Sequence, residues 1–294
     1  MRLPWRAPLL FGATHNNDLP NPGLMAGSFS PFMDYEYSAL TDVGRVRANN
    51  EDAVLLDRQH GIVVLADGMG GYNAGEVASA LAVEQIGAQL ANWLLAQSGR
   101  PVTVRDLRRA MEICVDNANR AIFESSHANP DYAGMGATLV MAAPLGATLV
   151  VGHVGDSRAY RWRAGSLARL TRDHSLLQEH IDAGLITPEE AAVSSYRSLV
   201  TRALGVEDTV LLDVQEVPVD PGDVFLLCSD GLTDMLTDDD LAASLGAAEP
   251  LDALGQRLVD MANENGGRDN VSVALIRAPA TPPKPATAGQ LLRK

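Results

Sequence analysis

The sequence contains little cysteine, since only Cys114 and Cys228 occur among 294 residues. Two cysteines so far apart cannot form the disulfide framework of a small secreted protein, and both are interpreted as reduced, buried thiols of a cytoplasmic protein. The chain also lacks any apolar run near the roughly 20 residues that a membrane helix needs. We therefore expect neither a membrane-spanning segment nor a signal peptide.

Basic residues are scarce as well, with 23 Lys and Arg against 37 Asp and Glu and a formal net charge of −14. Such a balance argues against a nucleic-acid partner, because binding to a phosphate backbone requires a basic surface. Phosphate loops of the GKS or GKT type are missing. The stretch Gly68-Met-Gly70-Gly71 resembles part of a dinucleotide fingerprint, but the last required glycine falls on Asn73.

Composition divides the chain into three parts. Residues 1–33 are rich in Pro, Asn, Gly and Ser without periodicity, which predicts a flexible N-terminal arm. Residues 278–294 form a tail rich in Pro and Ala, which predicts disorder. We expect the segment between them, 34–277, to form one compact domain.

Within that domain, hydrophobic periodicity predicts amphipathic helices over residues 76–96 and 104–123. Short apolar runs bounded by turn residues predict strands elsewhere. We expect the turns 144–146 and 155–157 each to join a hairpin, which indicates antiparallel rather than doubly wound parallel sheet.

Acidic residues recur where an apolar strand meets a turn rich in Gly, Ser or Asn. For example, the run VVLA leads into Asp67 and three glycines, and VFLLC leads into Ser-Asp-Gly. If the strands belong to packed sheets, these carboxylates can meet at one edge, where repulsion raises their pKa values unless a cation neutralises them. The residues at such positions are Glu51, Asp52, Asp67, Asp156, Asp230 and Asp269.

Three interpretations of the glycine-rich stretch after Asp67 compete: a tight turn, a phosphate cradle, or a metal ligand at a strand end. A single Asp-Gly pair is most often an ordinary turn. Several such sites favour a centre for Mg²⁺ or Mn²⁺, which prefer oxygen ligands. Arg47, four residues before Glu51, could grip a phosphoryl group with two hydrogen bonds or could be a surface arginine.

Cys114 begins the heptapeptide CVDNANR, which has the cysteine-to-arginine spacing of cysteine phosphatases. The heptapeptide lies inside a predicted amphipathic helix and has no glycine. A catalytic thiol needs a loop of backbone N–H groups that binds phosphate and lowers the pKa of the thiol. We therefore expect Cys114 and Cys228 to pack in the core.

Seven motifs follow one another along the chain: RVRANNED, VVLADGMGG, AGEVAS, GMGATL, HVGDSR, LLCSDGL and GRDNVS. Their order is the one seen in metal-dependent protein phosphatases, the PPM family or type 2C serine/threonine phosphatases. The sequence resembles the bacterial branch of that family over about residues 35 to 277. The resemblance implies an α+β fold, a four-layer αββα sandwich of two packed antiparallel β-sheets flanked by helices.

The resemblance also implies roles for single residues around two Mn²⁺ or Mg²⁺ ions. Asp67 would bridge the two ions, with the Gly68 carbonyl on one of them, and Asp230 and Asp269 would bind the same pair. Glu51 and Asp52 would bind mainly through water, and Asp156 would join Asp230 at a third, weaker ion. Arg47 would grip the phosphate. Residues 172–210 would form a mobile flap beside the site.

One position departs from the eukaryotic members, which carry a histidine proposed as general acid. Here Met69 occupies that position, as it often does in bacterial members, and methionine cannot donate a proton. His153 is a possible substitute, although a packed histidine is the more common role.

The resemblance implies phosphorylated proteins as partners, including a eukaryotic-like Ser/Thr kinase and its targets. Two alternatives stay open: a catalytically silent module that binds phosphoproteins, and a hydrolase of small phosphoesters.

Overall fold

Two antiparallel sheets form the centre of the molecule. The coordinates are a computed structural model that describes residues 35–71, 74–187, 190–191, 194, 196 and 199–280. The strands are β1 Glu36–Asp42, β2 Asp52–Asp57, β3 Ile62–Met69, β4 Gly136–Ala137, β5 Leu139–Leu145, β6 Thr148–Val154, β7 Arg158–Arg163, β8 Ser166–Arg169, β9 Asp213–Pro218, β10 Val224–Cys228 and β11 Val271–Arg277. The first sheet has the order β1-β11-β10-β7-β8, and the second has the order β2-β3-β5-β6-β9 with β4 paired to β3.

Helices cover the outer face of each sheet. The helices in the described residues are α1 Ala74–Ala96, α2 Val104–Ala128, the 3₁₀ helix Pro130–Tyr132, α3 Leu176–Asp182, α4 Asp230–Thr233, α5 Asp238–Leu245 and α6 Leu251–Glu264. The helices α1 and α2 pack on the second sheet, and α5 and α6 pack on the first. The predicted αββα sandwich is thereby confirmed.

The strand β3 shows why its apolar run is continuous rather than alternating. Ile62 and Val64 face the helical layer, whereas Val63 and Leu65 face the first sheet, and all four are fully buried. A strand of an antiparallel sheet usually has one solvated face. Because both faces of β3 are covered, nearly every residue of the strand must be apolar, and its position is held from two sides.

Local signals set the two long helices. Thr103 and Asp106 form a capping box at the start of α2, and the buried positions of α2 recur every three or four residues. The predictions of helices over 76–96 and 104–123 are confirmed in type and approximate position. The first helix begins two residues earlier, at Ala74, and the second continues to Ala128.

One predicted hairpin is confirmed and the other is wrong. The turn after β5 joins β5 to β6, which pair from Leu145 opposite Thr148. The turn 155–157 does not join a hairpin, because β6 pairs with β5 and β9 whereas β7 pairs with β10 and β8 in the other sheet. The chain crosses between the sheets at this turn, and the crossover places Asp156 at their common edge.

Residues 172–210, the predicted flap, are described in part. Their described section contains α3 and two isolated bridges, Ser175 with Val200 and Ala137 with Leu204. Thr187 and Glu190 exchange the two hydrogen bonds of a capping box. The predicted arm and most of the predicted tail lie outside the described residues. Within those residues, every helix is too short or too polar to cross a bilayer.

Candidate metal centre

Two acidic residues meet at the end of the β2–β3 pair. Asp52, the first residue of β2, lies directly opposite Asp67 of β3 in the antiparallel register. The sequence predicts Asp67 at the end of the apolar run 62–66, and β3 continues through Gly68 to Met69. The backbone N–H of Gly68 donates to the Glu51 carbonyl at 3.0 Å. This ladder therefore holds three acidic residues at one edge of the second sheet.

The first sheet brings two more carboxylates to the same edge. One serine separates the end of β10 from Asp230, which is the first residue of the short helix α4. Asp269 lies two residues before β11, which pairs antiparallel with β10. The end of β10 and the start of β11 are therefore neighbours, although 38 residues separate Asp230 from Asp269 in the chain.

The carboxylates interact strongly with one another. Burial, followed by the charges of Asp52, Asp230, Asp156 and Asp269, raises the pKa of Asp67 well above its ordinary value. Burial, followed by neighbouring carboxylates including Asp156, raises the pKa of Asp230 in the same way. Burial likewise raises the pKa values of Asp52 and Asp156 to about 6. Mutual electrostatic effects of this kind show that residues from both sheets face a common region.

The donor set fits divalent cations. The Oδ1 atoms of Asp52 and Asp230 are buried and have no hydrogen-bond partner among the described residues. Unpaired buried oxygens beside other carboxylates are costly unless a cation neutralises them. Carboxylate and carbonyl oxygens are the ligands that Mg²⁺ and Mn²⁺ prefer.

Gly75, in the first turn of α1, lets the Gly68 carbonyl lie beside the Glu51 side chain. A Cβ added to Gly75 would lie 2.8 Å from the Gly68 oxygen and 2.9 Å from the Glu51 carboxyl carbon. The expected carbonyl ligand and one expected acidic residue are therefore adjacent. Only a glycine at position 75 permits this approach.

Arg47 lies among the carboxylates rather than on an unrelated surface. Its Nη2 atom is 2.8 Å from Asp269 Oδ2, and about half of its side chain is exposed. The hydrogen bond to Asp269 is the largest cause that raises the pKa of Arg47, and the charges of Glu51 and Asp67 raise it further. The guanidinium is thus close enough to these groups to reach a phosphoryl group bound at the same edge.

Four uncharged residues hold the carboxylates in place, and none of them is among the predicted site residues. Ser229 Oγ donates to Asp52 Oδ2 at 2.8 Å and accepts from the Ser272 backbone N–H at 3.0 Å. Thr138 exchanges backbone and hydroxyl hydrogen bonds with the backbone of Asp67. Ser157 lies 2.7 Å from the Thr138 hydroxyl.

The fourth residue, Asn270, ties the segment that carries Arg47 to β11. Its Oδ1 atom accepts from the Glu51 backbone N–H, and its Nδ2 atom donates to the carbonyls of Val43 and Asn49. All four supporting residues lie inside the seven motifs, and Ser157, Ser229 and Asn270 directly neighbour an expected ligand in the chain. Position next to a ligand was the available signal for these three, whereas Thr138 has no expected ligand near it in sequence.

Asp234 is an acidic residue that the sequence reasoning missed. Its charge contributes to the raised pKa values of Asp156 and Asp230. Its backbone N–H donates to the Asp230 carbonyl at 2.7 Å, one helical turn away. The spacing of four residues after Asp230 was the signal, because it predicts a shared helix face.

The residues considered as a nucleophile or as a general acid have surroundings that do not favour those roles. Cys114 is buried in α2, and burial raises the pKa of its thiol to about 11, which is the opposite of what a nucleophilic thiol needs. Met69 lies at the end of β3 with its methyl group against Gly136. His153 is buried, and its Nε2 atom is 2.9 Å from the Arg172 carbonyl, so it contacts the beginning of the predicted flap.

Fold and site together define a two-sheet sandwich with an acidic centre at the sheet edges. A model of the family described as Protein phosphatase 2C matches residues 44–275. Protein phosphatase PhpP of Streptococcus pneumoniae is 36% identical over 244 residues, which cover 82% of this chain and 96% of PhpP. The chain therefore belongs to the bacterial branch of the protein phosphatase 2C family, the PPM phosphatases.

Solved structures agree with this assignment. The serine/threonine phosphatase of S. agalactiae superposes with a TM-score of 0.76 at 36% identity, covering 83% of this chain and 99% of that one. The catalytic domain of serine/threonine protein phosphatase PstP, solved in complex with two manganese ions, gives a TM-score of 0.72 at 37% identity. That comparison covers 84% of this chain and 99% of the PstP domain.

Proposed function

We propose that this protein is a metal-dependent protein serine/threonine phosphatase that hydrolyses phosphoserine and phosphothreonine with Mn²⁺ or Mg²⁺. One observation carries the proposal: carboxylates from both sheets, two of them with unpaired buried oxygens, meet beside Arg47. Membership of the family supports it, as does the PstP structure with two manganese ions.

We assign the metal ligands as follows. Asp67 would bridge two ions, the Gly68 carbonyl would bind one, and Asp230 and Asp269 would complete the pair. Glu51 and Asp52 would act mainly through water, and Asp156 would join Asp230 at a third, weaker ion. Bound as a pair, such ions lower the pKa of a water molecule and neutralise phosphoryl oxygens. The buried, mutually repelling carboxylates support this assignment.

Arg47 would bind the substrate phosphate. Its guanidinium is held near the centre by Asp269, half exposed and able to turn toward an incoming phosphoryl group. Two N–H groups of one guanidinium can then bind two phosphoryl oxygens and fix their orientation. Met69 has no proton to donate, so the leaving alcohol must receive its proton from another group at the centre.

The direct test measures release of phosphate from phosphothreonine and phosphotyrosine peptides with Mn²⁺ and then with excess chelator. We expect turnover of the phosphothreonine peptide that the chelator abolishes. Asp67→Asn should lower that turnover at least about 100-fold, because a ligand shared by both ions is lost. Asp57→Asn is the matched control, since Asp57 ends the strand that Asp52 begins and contacts His60 instead.

Three results would contradict the proposal in different ways. Full activity of Asp67→Asn would exclude the assigned centre. A folded wild-type protein that binds phosphopeptides without turnover would be the silent binding module. Turnover of p-nitrophenyl phosphate with none of any phosphopeptide would favour a hydrolase of small phosphoesters.

We further propose that the substrates are phosphoproteins of a eukaryotic-like Ser/Thr kinase in the cytoplasm. Two free, buried cysteines are compatible with a reducing compartment. Incubation with such a kinase in its autophosphorylated form, followed by mass spectrometry of its phosphosites, tests the pairing. Loss of phosphate from phosphothreonine sites is expected, and complete retention would contradict the proposal.

The domain limits are also a proposal: residues 34–277 form the catalytic unit. The match of the family model to residues 44–275 supports these limits. A chain of residues 34–280 should hydrolyse a phosphothreonine peptide with the kcat/KM of the full chain. A large loss in a folded truncated chain would assign the arm or tail a part in catalysis.

A further inference from the structure

His174 is a buried residue at the start of the predicted flap, and it contacts the crossover between the two sheets. Its backbone N–H donates to the Gly155 carbonyl at 2.9 Å. In return, the Gly155 backbone N–H donates to the Nδ1 atom of the His174 ring at 3.0 Å. A single residue therefore satisfies both backbone polar groups of Gly155, the residue directly before Asp156.

The remaining contacts determine which ring nitrogen carries the proton. Because Nδ1 accepts a hydrogen bond from Gly155, the neutral ring has its proton on Nε2. This Nε2–H group donates to Asp213 Oδ2 at 3.1 Å. The guanidinium of Arg202 binds the other oxygen of Asp213 at 2.9 Å, which fixes that carboxylate. Asp213 therefore orients the ring so that Nδ1 faces Gly155.

The opposite side of Gly155 is equally confined. The residue has a φ of +98°, and a Cβ at this position would lie 2.7 Å from the Thr138 Cβ. Thr138 in turn hydrogen-bonds the backbone of Asp67. The crossover is thus held between the His174 ring and the residue that supports Asp67, so a change on either side must move the Asp156 backbone.

A metal site at this cluster is a competing explanation, because His153, His174 and Asp213 place ligand atoms within 4.8 Å of one another. The two imidazole rings are stacked, with centroids 4.7 Å apart and planes 12° from parallel. An imidazole binds an ion in the plane of its ring, so one ion cannot satisfy two stacked rings. Arg202 also places a positive charge 3.1 Å from His174 Nε2. The geometry therefore favours a hydrogen-bonded support.

We propose that His174 is a positioning residue for the reaction: through Nδ1 it fixes Gly155 and thereby the direction in which Asp156 presents its carboxylate to a metal ion. The inference rests on the proposed function and deepens it. When the acceptor is lost, the buried Gly155 N–H has no partner, and the crossover rotates to find one.

The test compares two substitutions of nearly equal shape. His174→Asn places an amide oxygen where Nδ1 lies and keeps the acceptor, whereas His174→Leu places a methyl group there. His174→Gln reaches the Nε2 position instead and replaces the Leu variant if that protein does not fold. His153→Gln is the matched control, because it changes the other ring of the stack, which bonds the Arg172 carbonyl and not Gly155.

Two measurements are made on metal-stripped protein, and neither requires phosphatase activity. The first is the Mn²⁺ binding isotherm, in which Asp156→Asn identifies the ions that depend on Asp156. The second is the hydrogen-exchange rate of the Gly155 amide by NMR, before any metal is added. Thermal unfolding of each variant verifies that the protein is folded.

We expect His174→Leu to weaken the Asp156-dependent binding of Mn²⁺ by about tenfold and to speed exchange of the Gly155 amide. His174→Asn and His153→Gln should stay within about threefold of the wild-type affinity. Equal isotherms for the Leu variant and wild type would overturn the inference. So would equal losses in the Leu and Asn variants, or an isotherm that Asp156→Asn leaves unchanged.

These outcomes are distinguishable from failure of the proposed function. If the wild-type protein hydrolyses no phosphopeptide but the variants differ as expected in Mn²⁺ binding, the function fails and the positioning role stands. If the wild-type protein is an active phosphatase and the variants bind Mn²⁺ equally, only the positioning role fails.

Discussion

Asp52 and Asp57 stand at the two ends of one strand, and their environments differ completely. Asp57 accepts hydrogen bonds from the backbone and side chain of His60, as an acidic residue in a turn commonly does. Asp52 is buried opposite Asp67, with one oxygen bound by Ser229 and the other unpaired. The chemistry of the residue is the same in both cases, so the surroundings alone distinguish a turn residue from a candidate ligand.

Substitution of Arg47 tests the phosphate contact at the scale of one residue. Arg47→Ala should raise KM for a phosphothreonine peptide about tenfold or more while kcat changes less, because the lost hydrogen bonds form on binding. Arg47→Lys should recover only part of the affinity, since an ammonium group cannot bind two oxygens in a fixed plane.

Arg45→Ala is the control for Arg47, because Arg45 belongs to the same segment and contacts Gly267 through its backbone N–H. Steady-state kinetics at saturating Mn²⁺ measure all three variants. An unchanged KM in Arg47→Ala would remove Arg47 from the phosphate site.

Cys114→Ser separates the metal mechanism from a cysteine mechanism. The thiol is buried and its pKa is raised, so we expect kcat/KM to stay within about twofold of wild type. The free energy of unfolding should fall by about 1 kcal/mol, because a hydroxyl replaces a packed thiol. Phosphatase kinetics and urea unfolding measure the two effects. A folded but inactive variant would favour the cysteine alternative.

At the scale of elements, the junction of β3 with α1 places the centre. The strand carries Asp67 and Gly68, and the helix approaches it so closely that two glycines face each other. A Cβ on Gly68 would lie 2.0 Å from the Gly75 carbonyl oxygen and 2.6 Å from that of Glu51. Both obstacles are backbone atoms, which cannot turn aside as a flexible side chain can.

Gly68→Ala should therefore separate β3 from α1. We expect a loss of about 3 kcal/mol in the free energy of unfolding and weaker binding of Mn²⁺. Gly71→Ala is the matched control, because a Cβ there meets nothing within 4 Å. Urea unfolding and metal titration measure both variants. Equal stability of the two would show that the glycines serve only the turn.

The crossover at residues 155–157 is the second element-scale feature. Its Gly-Asp-Ser sequence is typical of a hairpin turn and therefore predicts a hairpin. Pairing is decided by neighbours remote in sequence, since β6 pairs with β9 and β7 with β10. The crossover brings Asp156 toward Asp230 of the other sheet, and the charge of Asp156 is among the causes that raise the pKa of Asp230.

At the scale of the whole molecule, two sheets buried against each other bring like charges together. In the metal-free protein, this arrangement opposes folding whenever the carboxylates are ionised. Burial raises the pKa values of Asp52 and Asp156 to about 6, above the value of about 4 in an unfolded chain. Between these two pH values the folded protein holds more protons than the unfolded one.

The stability of the metal-free protein should therefore decrease as pH rises. The stability that the protonated carboxyl groups of Asp52 and Asp156 contribute is fully present below about pH 4. It is lost as the pH rises through about 6. We expect the free energy of unfolding to fall by about 2 kcal/mol between pH 5 and 7. Saturating Mn²⁺ should remove most of this decrease, because cations neutralise the ionised groups.

Urea unfolding in chelator at pH 5, 6 and 7 measures the decrease. Asp52→Asn should make the curve flatter, and Asp57→Asn should leave its slope unchanged, since Asp57 lies at the far end of the strand. A metal-free protein whose stability rises over this range would contradict the shared acidic centre.

The amino-acid sequence by itself determined the local features of this protein. The helices over α1 and α2 and the buried strands followed from hydrophobic periodicity, because periodicity records which faces are buried. Acidic residues at strand ends were visible as chemistry, and seven ordered motifs indicated the family and hence the sandwich. Confirmation came from the two sheets and from the family match.

Only the tertiary structure decided which of these residues meet. That Arg47 contacts Asp269 and that residues 155–157 cross between sheets depend on pairings between distant segments. Sequence spacing does not encode such pairings, since the packing of whole faces selects them. The support of Gly155 by the His174 ring belongs to the same class, because the two partners are 19 positions apart in the chain.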